Sequence, residues 1–505
     1  MIKKSKLIIF NITLIIGLLI MLIAIFVQDY FGAMGFDQVL FHLFVPINGT
    51  EGNFLSVGLA YVLSKFGLII VIYLLFLYLL SKLKIVLEVK IFKRKINIDI
   101  NQLVIKIRWI FIVGLIIFSG YIFNKNLDLI NYIKYNTQAT NIFENYYIDP
   151  QKTEIIFPKN KNNLIFIIFE SLETTDLSQT NGGYRNKSLI PEIEKISLNN
   201  INFSQNDKLG GYYSTNGTGY TIAGMIGLTT GVPLLVGNND LMESYKYVLK
   251  KAYSMGEILE SEGYKNYFMM GSNESFAGRG QYFKQHGNYE IFDFSTAKEL
   301  NYIDQEYDIN WWGFEDKKLY EYAKIKLNDI SKNDEPFNLS LLTVDTHPFE
   351  GYTDETCEID DSLNKYENVF ACSSKMLNDF INWIKKQPFY ENTTIVIVGD
   401  HLNMASNTIH KNMPNSYDRT VYNTFINSAV KTECNKNRIF TTFDIYPTTL
   451  AAMGAKIKGE RLALGTNLFS CKKTLSEELG LQYFNDELRK KSNYYNYCLF
   501  LGKCQ

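Results

Sequence analysis

The stretch Thr393-Thr394-Ile395-Val396-Ile397-Val398-Gly399-Asp400-His401 constrains this chain more than any other. A short, unbroken apolar run reads as a strand buried on both faces, the pattern of a central parallel strand. It stops abruptly on two side chains that can bind a metal. Leu164-Ile165-Phe166-Ile167-Ile168-Phe169 does the same and stops on Glu170-Ser171. In open α/β sheets, ligands bind just past the carboxyl ends of the strands. Either charge alone could simply mark where a strand meets water. Asp-His directly after one strand and Glu directly after another predict a shared polar site with metal binding as its chemistry.

Further strand-like runs follow at Tyr264–Gly271, Phe337–Asp345 and Thr424–Ser428. They alternate with helical patterns at Thr221–Leu228, Tyr253–Glu262, Phe276–His286, Lys317–Asn328, Tyr366–Lys386 and Phe443–Met453. This alternation predicts an α/β fold, a mostly parallel sheet sandwiched by helices.

The N-terminal quarter has a different character. Leu7–Val27, Leu55–Leu80 and Ile105–Phe123 are each apolar over about the 20 residues that a bilayer crossing needs. Lys3, Lys4 and Lys6 precede the first, but its apolar run is too long for a signal peptide and no small-residue cleavage site follows. No Lys or Arg lies between Val27 and Lys65, whereas Lys82, Lys84, Lys90, Lys93, Arg94 and Lys95 crowd the next loop. The positive-inside rule puts the N-terminus and that loop in the cytoplasm, and everything after the third span outside it. The expected division is a membrane domain over 1–125, a juxtamembrane linker over 126–160 and an extracytoplasmic catalytic domain over 161–505. All six cysteines follow residue 350, and an even number in that compartment predicts disulfides. Proximity favours Cys357 with Cys372 and Cys498 with Cys504, leaving Cys434 with Cys471. A net charge of −1 gives no sign of nucleic-acid binding.

Glu170, Asp400 and His401 offer the mixed carboxylate and imidazole donors that manganese and zinc accept, with magnesium a further option. The segment Gly210–Met225 is rich in glycine and hydroxyls and runs into an apolar helix. A hydroxyl there gains from the positive end of the helix dipole and is a candidate nucleophile, the alternative being an ordinary threonine N-cap. His347 sits past another strand end, in Thr346-His347-Pro348, and is a candidate acid or hydrogen-bond donor to a phosphate. Arg279 could grip an anion through its fork of donors. Trp311 and Trp312 could wall a pocket or fill the core. His42 and His286 read as structural, and His410 has a weak case.

Together these residues resemble the phosphoglycerol transferases of the sulfatase/alkaline-phosphatase superfamily, above all those acting on osmoregulated periplasmic glucans, with lipoteichoic acid synthases as cousins. The resemblance runs from Asn163 to Phe469. It rests on Phe169-Glu170-Ser171-Leu172-Glu173, Tyr220-Thr221-Ile222-Ala223-Gly224-Met225, Thr343-Val344-Asp345-Thr346-His347-Pro348, Gly399-Asp400-His401-Leu402-Asn403-Met404 and Gly465-Thr466-Asn467-Leu468. Thr356-Cys357, and Phe36 to His42 with Gly49-Thr50 near the first span, are further similarities. The resemblance implies that Glu170, Asp400, His401 and Thr221 bind a divalent metal. It makes Thr221 the nucleophile, with Thr218 as rival one helical register away, and has His347 and Arg279 contact the phosphoglycerol. The tryptophan that teichoic acid synthases carry near Arg279 is replaced by Ala277. The Cys-x-Pro-x-Arg element of true sulfatases is absent, which argues against sulfate-ester hydrolysis. The implied reaction moves phosphoglycerol from phosphatidylglycerol to an extracytoplasmic glycan through a threonine-bound intermediate, at the cytoplasmic membrane. The alternatives are phosphoethanolamine transfer to lipid A or a surface glycan, and an inactive glycan-binding envelope protein. Against the former, Ile222-Ala223-Gly224-Met225 lacks the Pro-Cys that usually follows that threonine.

Overall fold

The computed structural model describes the chain except residues 1, 32–34, 45–53, 83–85, 92–93, 236–246, 308–311, 349, 411–412, 415 and 505. Trp311 and Gly49-Thr50 lie outside the described residues. The chain divides into two compact units, one of residues 1–36 and 52–132, the other of residues 37–51 and 133–505.

In the first unit, helices Ile2–Phe31, Phe54–Lys82 and Ile100–Leu127 cover the three apolar segments. Leu14, Leu18 and Leu22 recur every fourth residue along one face and meet Phe66 and Ile112. Tyr73 donates a hydrogen bond to Asn11 Oδ1 at 2.8 Å, a polar contact of the kind that joins helices where water is absent. Ile9, Ile16, Leu63, Leu68, Val71, Ile110 and Ile117 point outward and are exposed. So much outward apolar surface is unfavourable in water and fits lipid. Asn11–Asp29, 19 residues of mean hydropathy 2.5, is long and apolar enough to cross a membrane. The basic loop after the second helix contains an antiparallel hairpin, β1 (Val86–Ile91) with β2 (Arg94–Asp99).

The second unit holds a short pairing of β3 (Ile155–Ile156) with Lys456–Ile457 and a seven-stranded sheet. The sheet strands are β4 (Asn163–Phe169), β5 (Gly211–Tyr212), β6 (Lys265–Met270), β7 (Glu290–Phe292), β8 (Phe337–Leu342), β9 (Thr393–Gly399) and β10 (Val421–Ile426), in spatial order β5-β10-β9-β4-β8-β6-β7. From β9 to β7 every pairing is parallel, β10 pairs antiparallel with β9, and β5 pairs antiparallel with β10. Alternate residues of the central strands feed separate cores, as a sheet covered on both faces requires. Leu164, Phe166, Ile168, Val396 and Val398 enter one, and Ile165, Ile167, Phe169, Ile395 and Ile397 the other. Helix Lys365–Ile384 shows how the second face is covered. Asn364 and Glu367 form a capping box that starts it, and Tyr366, Val369, Phe370, Ser373, Leu377, Phe380, Ile381 and Ile384 line its buried stripe.

The sequence pattern misplaces two elements. β10 starts at Val421 rather than Thr424, because the polar Asn423 inside it is buried and satisfied by Phe203, whose N–H it accepts at 3.0 Å and whose carbonyl it donates to at 2.9 Å. The helix expected over Phe276–His286 is broken. Ala277 (φ 55°) and Gly278 (φ 68°) are left-handed, so a single tight turn precedes a helix that begins at Arg279. Disulfides join Cys357 to Cys372, Cys434 to Cys471 and Cys498 to Cys504, as their spacing favours.

Candidate active site

Parallel register brings the acidic strand ends together. Phe169 of β4 pairs with Gly399 of β9, so the next residues, Glu170 and Asp400, leave the sheet side by side. Ser171 then turns through a left-handed conformation (φ 58°). Its N–H and that of His401 both donate to Asp400 Oδ1 at 2.8 Å, and its hydroxyl donates to Glu170 Oε1 at 2.7 Å. His401 Nδ1 lies 2.9 Å from the Leu402 carbonyl, which can only accept, so Nδ1 carries the proton. Nε2 lies 3.3 Å from Asp400 Oδ2 and 3.5 Å from Glu170 Oε1, and in the neutral ring it turns a lone pair toward them. The three residues offer donor atoms within 4.8 Å of one another, all buried.

This arrangement is electrostatically incomplete. Burial and the Glu170 charge push the Asp400 carboxyl up to about 7. Burial also opposes the Glu170 charge, but His347 and His401 outweigh it and hold that carboxyl below its ordinary range. Burial likewise opposes charge on His401, yet Asp400 and Glu170 raise its pKa. Asp400 Oδ2 is buried without any hydrogen bond. With His401 neutral, that carboxylate oxygen faces an imidazole lone pair, a donor set without its acceptor. A divalent cation fits it, and the mixed oxygen and nitrogen donors suit manganese or zinc.

Thr221 reaches the same point. It is the first residue of helix Thr221–Thr230, whose N-cap is Tyr220, so its hydroxyl is not used as a cap. That hydroxyl donates to Glu170 Oε2 at 3.3 Å and lies 3.4 Å from His401 Nε2. Gly224 permits this approach, because a Cβ there would stand 2.2 Å from the Asp400 carbonyl oxygen. Thr218 is turned elsewhere: its buried hydroxyl accepts from Thr215 N–H at 2.8 Å and donates to the Thr215 carbonyl at 2.9 Å. The structure brings Thr221, and not Thr218, to Glu170 and His401. Phe41 packs its ring against Tyr220 at 5.4 Å.

His347, Trp312 and Arg279 form a second group. The Trp312 and His347 rings pack tilted at 41° with centroids 4.2 Å apart, and Phe276 packs on Trp312 at 5.4 Å, tilted at 52°. The Arg279 guanidinium lies 4.8 Å over Phe276, and its Nε donates to the Phe276 carbonyl at 3.1 Å. Arg279 is buried, which lowers its pKa to about 10 while Glu170 and Asp400 support its charge. It is therefore cationic near neutrality. His347 Nδ1 donates to the Pro348 carbonyl at 2.8 Å, and burial lowers its pKa although Glu170 opposes this. A neutral His347 has only a lone pair at Nε2.

Sequence reasoning missed the buried charges behind the ligands. The Glu173 carboxylate is paired with Arg419. His410 Nε2 lies 2.9 Å from Asp176 Oδ1, its Nδ1 3.5 Å from Glu173 Oε1, and Arg185 flanks Asp176 at 3.6 Å. His286, by contrast, is structural as read, held by Glu257 and the Val248 carbonyl. Burial disfavours charge on His410, and Arg419 does so weakly, but Asp176 and Glu173 outweigh both and raise its pKa. A raised histidine pKa contributes stability that is full below the ordinary histidine value near 6.5 and lost as pH rises through the folded value. His410→Asn is thus expected to lower Tm most in mildly acidic buffer, with the gap to wild type closing as pH rises past neutrality. A gap independent of pH would show that His410 is not protonated in the fold.

A sequence-family model for the sulfatases matches residues 162–455, which contain every site residue above. The chain belongs to the sulfatase family. Within it, the chain is 34% identical over 285 residues to phosphoglycerol transferase I of Citrobacter koseri, and 35% identical over 285 residues to the protein of the same name from Escherichia fergusonii. Each match takes in 55% of this chain but only 35% of the relative. Among solved sulfatase-like structures, the lipoteichoic acid synthase LtaP of Listeria monocytogenes aligns with 63% of this chain and 79% of its own at 19% identity, with a TM-score of 0.49.

Proposed function

We propose that this sulfatase-family protein is a metal-dependent phosphoglycerol transferase that takes its group from phosphatidylglycerol and gives it to a glycan outside the cytoplasmic membrane. The observation that carries the reading is Thr221, whose uncapped hydroxyl stands at a helix N-terminus within 3.4 Å of both Glu170 and His401. The relatives named phosphoglycerol transferase I support the choice of group. The apolar segment Asn11–Asp29 and the three disulfides support the compartment.

Glu170, Asp400 and His401 would hold the ion, with Thr221 completing the set. A divalent metal there supplies Lewis-acid stabilisation of charge on oxygen and eases loss of a hydroxyl proton. The chain's own groups do the rest. Thr221 Oγ1 forms a bond to the donor phosphorus as the bond from phosphorus to the diacylglycerol oxygen breaks, and the threonine proton ends on that oxygen by way of Glu170. Arg279 offsets the charge of the phosphodiester, and Trp312 walls the glycerol. In the second half-reaction an acceptor hydroxyl displaces Thr221, and His347 Nε2 takes the hydroxyl proton, which returns to Thr221 Oγ1.

Incubating the full-length protein with head-group-labelled phosphatidylglycerol and Mn²⁺, then sequencing the Thr221 peptide by mass spectrometry, tests this directly. A phosphoglycerol adduct on Thr221 with release of diacylglycerol is the expected result. Intact phosphatidylglycerol and an unmodified peptide would sink the proposal. An adduct formed only with phosphatidylethanolamine would reassign the transferred group to phosphoethanolamine.

A further inference from the structure

The metal-bearing loops are laced together by a chain of hydrogen bonds that has no direct part in the chemistry proposed above. Glu170 is held through its backbone: its N–H donates to Thr343 Oγ1 at 2.9 Å, and its carbonyl accepts from Thr346 Oγ1 at 2.6 Å. Both threonines belong to the segment after β8 that also carries His347. The Thr346 carbonyl accepts from the Tyr366 hydroxyl at 2.7 Å, and that hydroxyl accepts from Asn403 Nδ2 at 3.1 Å. Asn403 stands two residues past His401. Its N–H donates to Glu173 Oε2 at 3.0 Å, and its carbonyl accepts from Arg419 Nη2 at 2.8 Å. Arg419 also grips Glu173, three residues past Glu170.

The path therefore leaves Glu170, crosses to the end of β8, passes through Tyr366 to the loop after β9, and returns through Arg419 to the loop after β4. Thr346, Tyr366, Asn403 and Glu173 are all buried, at 0–2% exposure. Water cannot substitute for a lost link, and each unmet partner is penalised in full. Burial opposes the Glu173 charge, but Arg419 and His410 outweigh it and keep the carboxyl below its ordinary range, so that corner stays ionised.

We infer that Tyr366 and Arg419 are positioning residues for the metal site: they hold the loop carrying Asp400 and His401 in register with Glu170. This rests on the metal-site reading above, and a metal-binding measurement separates the two. Groups that orient metal ligands from behind typically change affinity by about 10–100-fold when removed. Tyr366→Phe deletes one hydroxyl and leaves both the Thr346 carbonyl and the Asn403 amide unmet. Arg419→Lys keeps the charge but loses the two-pronged grip that joins Glu173 to Asn403.

The test is Mn²⁺ titration of the full-length protein in detergent, followed by electron paramagnetic resonance, with Tm recorded for each variant. Tyr366→Phe and Arg419→Lys are each expected to weaken Mn²⁺ binding about tenfold or more and to broaden the bound-ion spectrum. Tyr320→Phe serves as the control. It removes a buried hydroxyl that makes no hydrogen bond, from a ring that stacks on Phe380, and so breaks no link of the chain above. It is expected to leave Mn²⁺ affinity at the wild-type value whatever it does to Tm. Wild-type affinity in both Tyr366→Phe and Arg419→Lys, or an equal loss in Tyr320→Phe, would overturn the inference while leaving the metal site standing. Failure of the wild-type protein to bind Mn²⁺ would remove the metal site and the inference with it.

Discussion

Thr221→Ala is expected to reduce transfer from phosphatidylglycerol by roughly 10⁴-fold or more, the scale seen when a covalent nucleophile is removed. The expectation follows from geometry. Among the described residues, the Thr221 hydroxyl stands within hydrogen-bonding reach of both a proposed metal carboxylate and a proposed metal imidazole. Thr218, which sequence spacing alone leaves as its rival, is locked by hydrogen bonds to Thr215. Thr218→Val is therefore expected to lower Tm through the loss of buried hydrogen bonds, on the order of 1 kcal/mol each, while transfer persists. Thr221→Ser keeps an oxygen in place and is expected to keep a measurable rate. Steady-state transfer with head-group-labelled lipid decides all three. A Thr221→Ala protein that still transfers, beside an inactive Thr218→Val, would move the nucleophile to Thr218.

The sequence shows the site where its chemistry coincides with a strand end. β4 and β9 are so uniformly apolar that their terminal charges stand out, and the parallel register that joins Glu170 to Asp400 follows from the strand type. Thr221 is legible because glycines and a helix start surround it. The supports are harder to see. Tyr366 lies in the buried stripe of an amphipathic helix and looks like any core aromatic. Arg419 and Glu173 look like solvated charges until the fold buries Glu173 against a half-buried Arg419. Which nitrogen of His347 faces the backbone depends on the folded loop at Pro348, where Nδ1 meets a carbonyl. Composition likewise hides the first residues of β10, where the buried Asn423 is satisfied from outside the sheet. Periodicity reports what a segment buries. It does not report which polar group meets which.

Asp400→Asn is expected to reverse sign with metal, and that reversal is the sharpest test of what the buried charges are for. The substitution keeps the shape and retains an oxygen for the Ser171 and His401 N–H groups, both of which donate to Oδ1. It removes the charge on Oδ2, the atom that makes no hydrogen bond. In chelator, the wild-type protein carries a carboxyl that burial and Glu170 push up to about 7. Near neutrality an ionised Asp400 is a burden to the metal-free fold, of the order of a few kcal/mol, and the Asn variant is expected to have the higher Tm. With Mn²⁺ the order inverts. A ligand at about 100 times its Kd adds about 2.7 kcal/mol to the state that binds it. The wild-type protein gains this, whereas the variant, short of a charged ligand, is expected to bind more than about a hundredfold more weakly, beyond the upper end of the loss from an outer supporting group. Calorimetric Tm values for both proteins, in EDTA and in Mn²⁺, are expected to cross. Parallel shifts would mean that Asp400 is not a ligand. A wild-type Tm that ignores Mn²⁺ would mean that the strand ends bury their charges for the fold alone. Crossing curves would show that the metal-free fold bears an unfavourable cluster that only a bound cation resolves, as expected of groups kept for catalysis at the expense of stability.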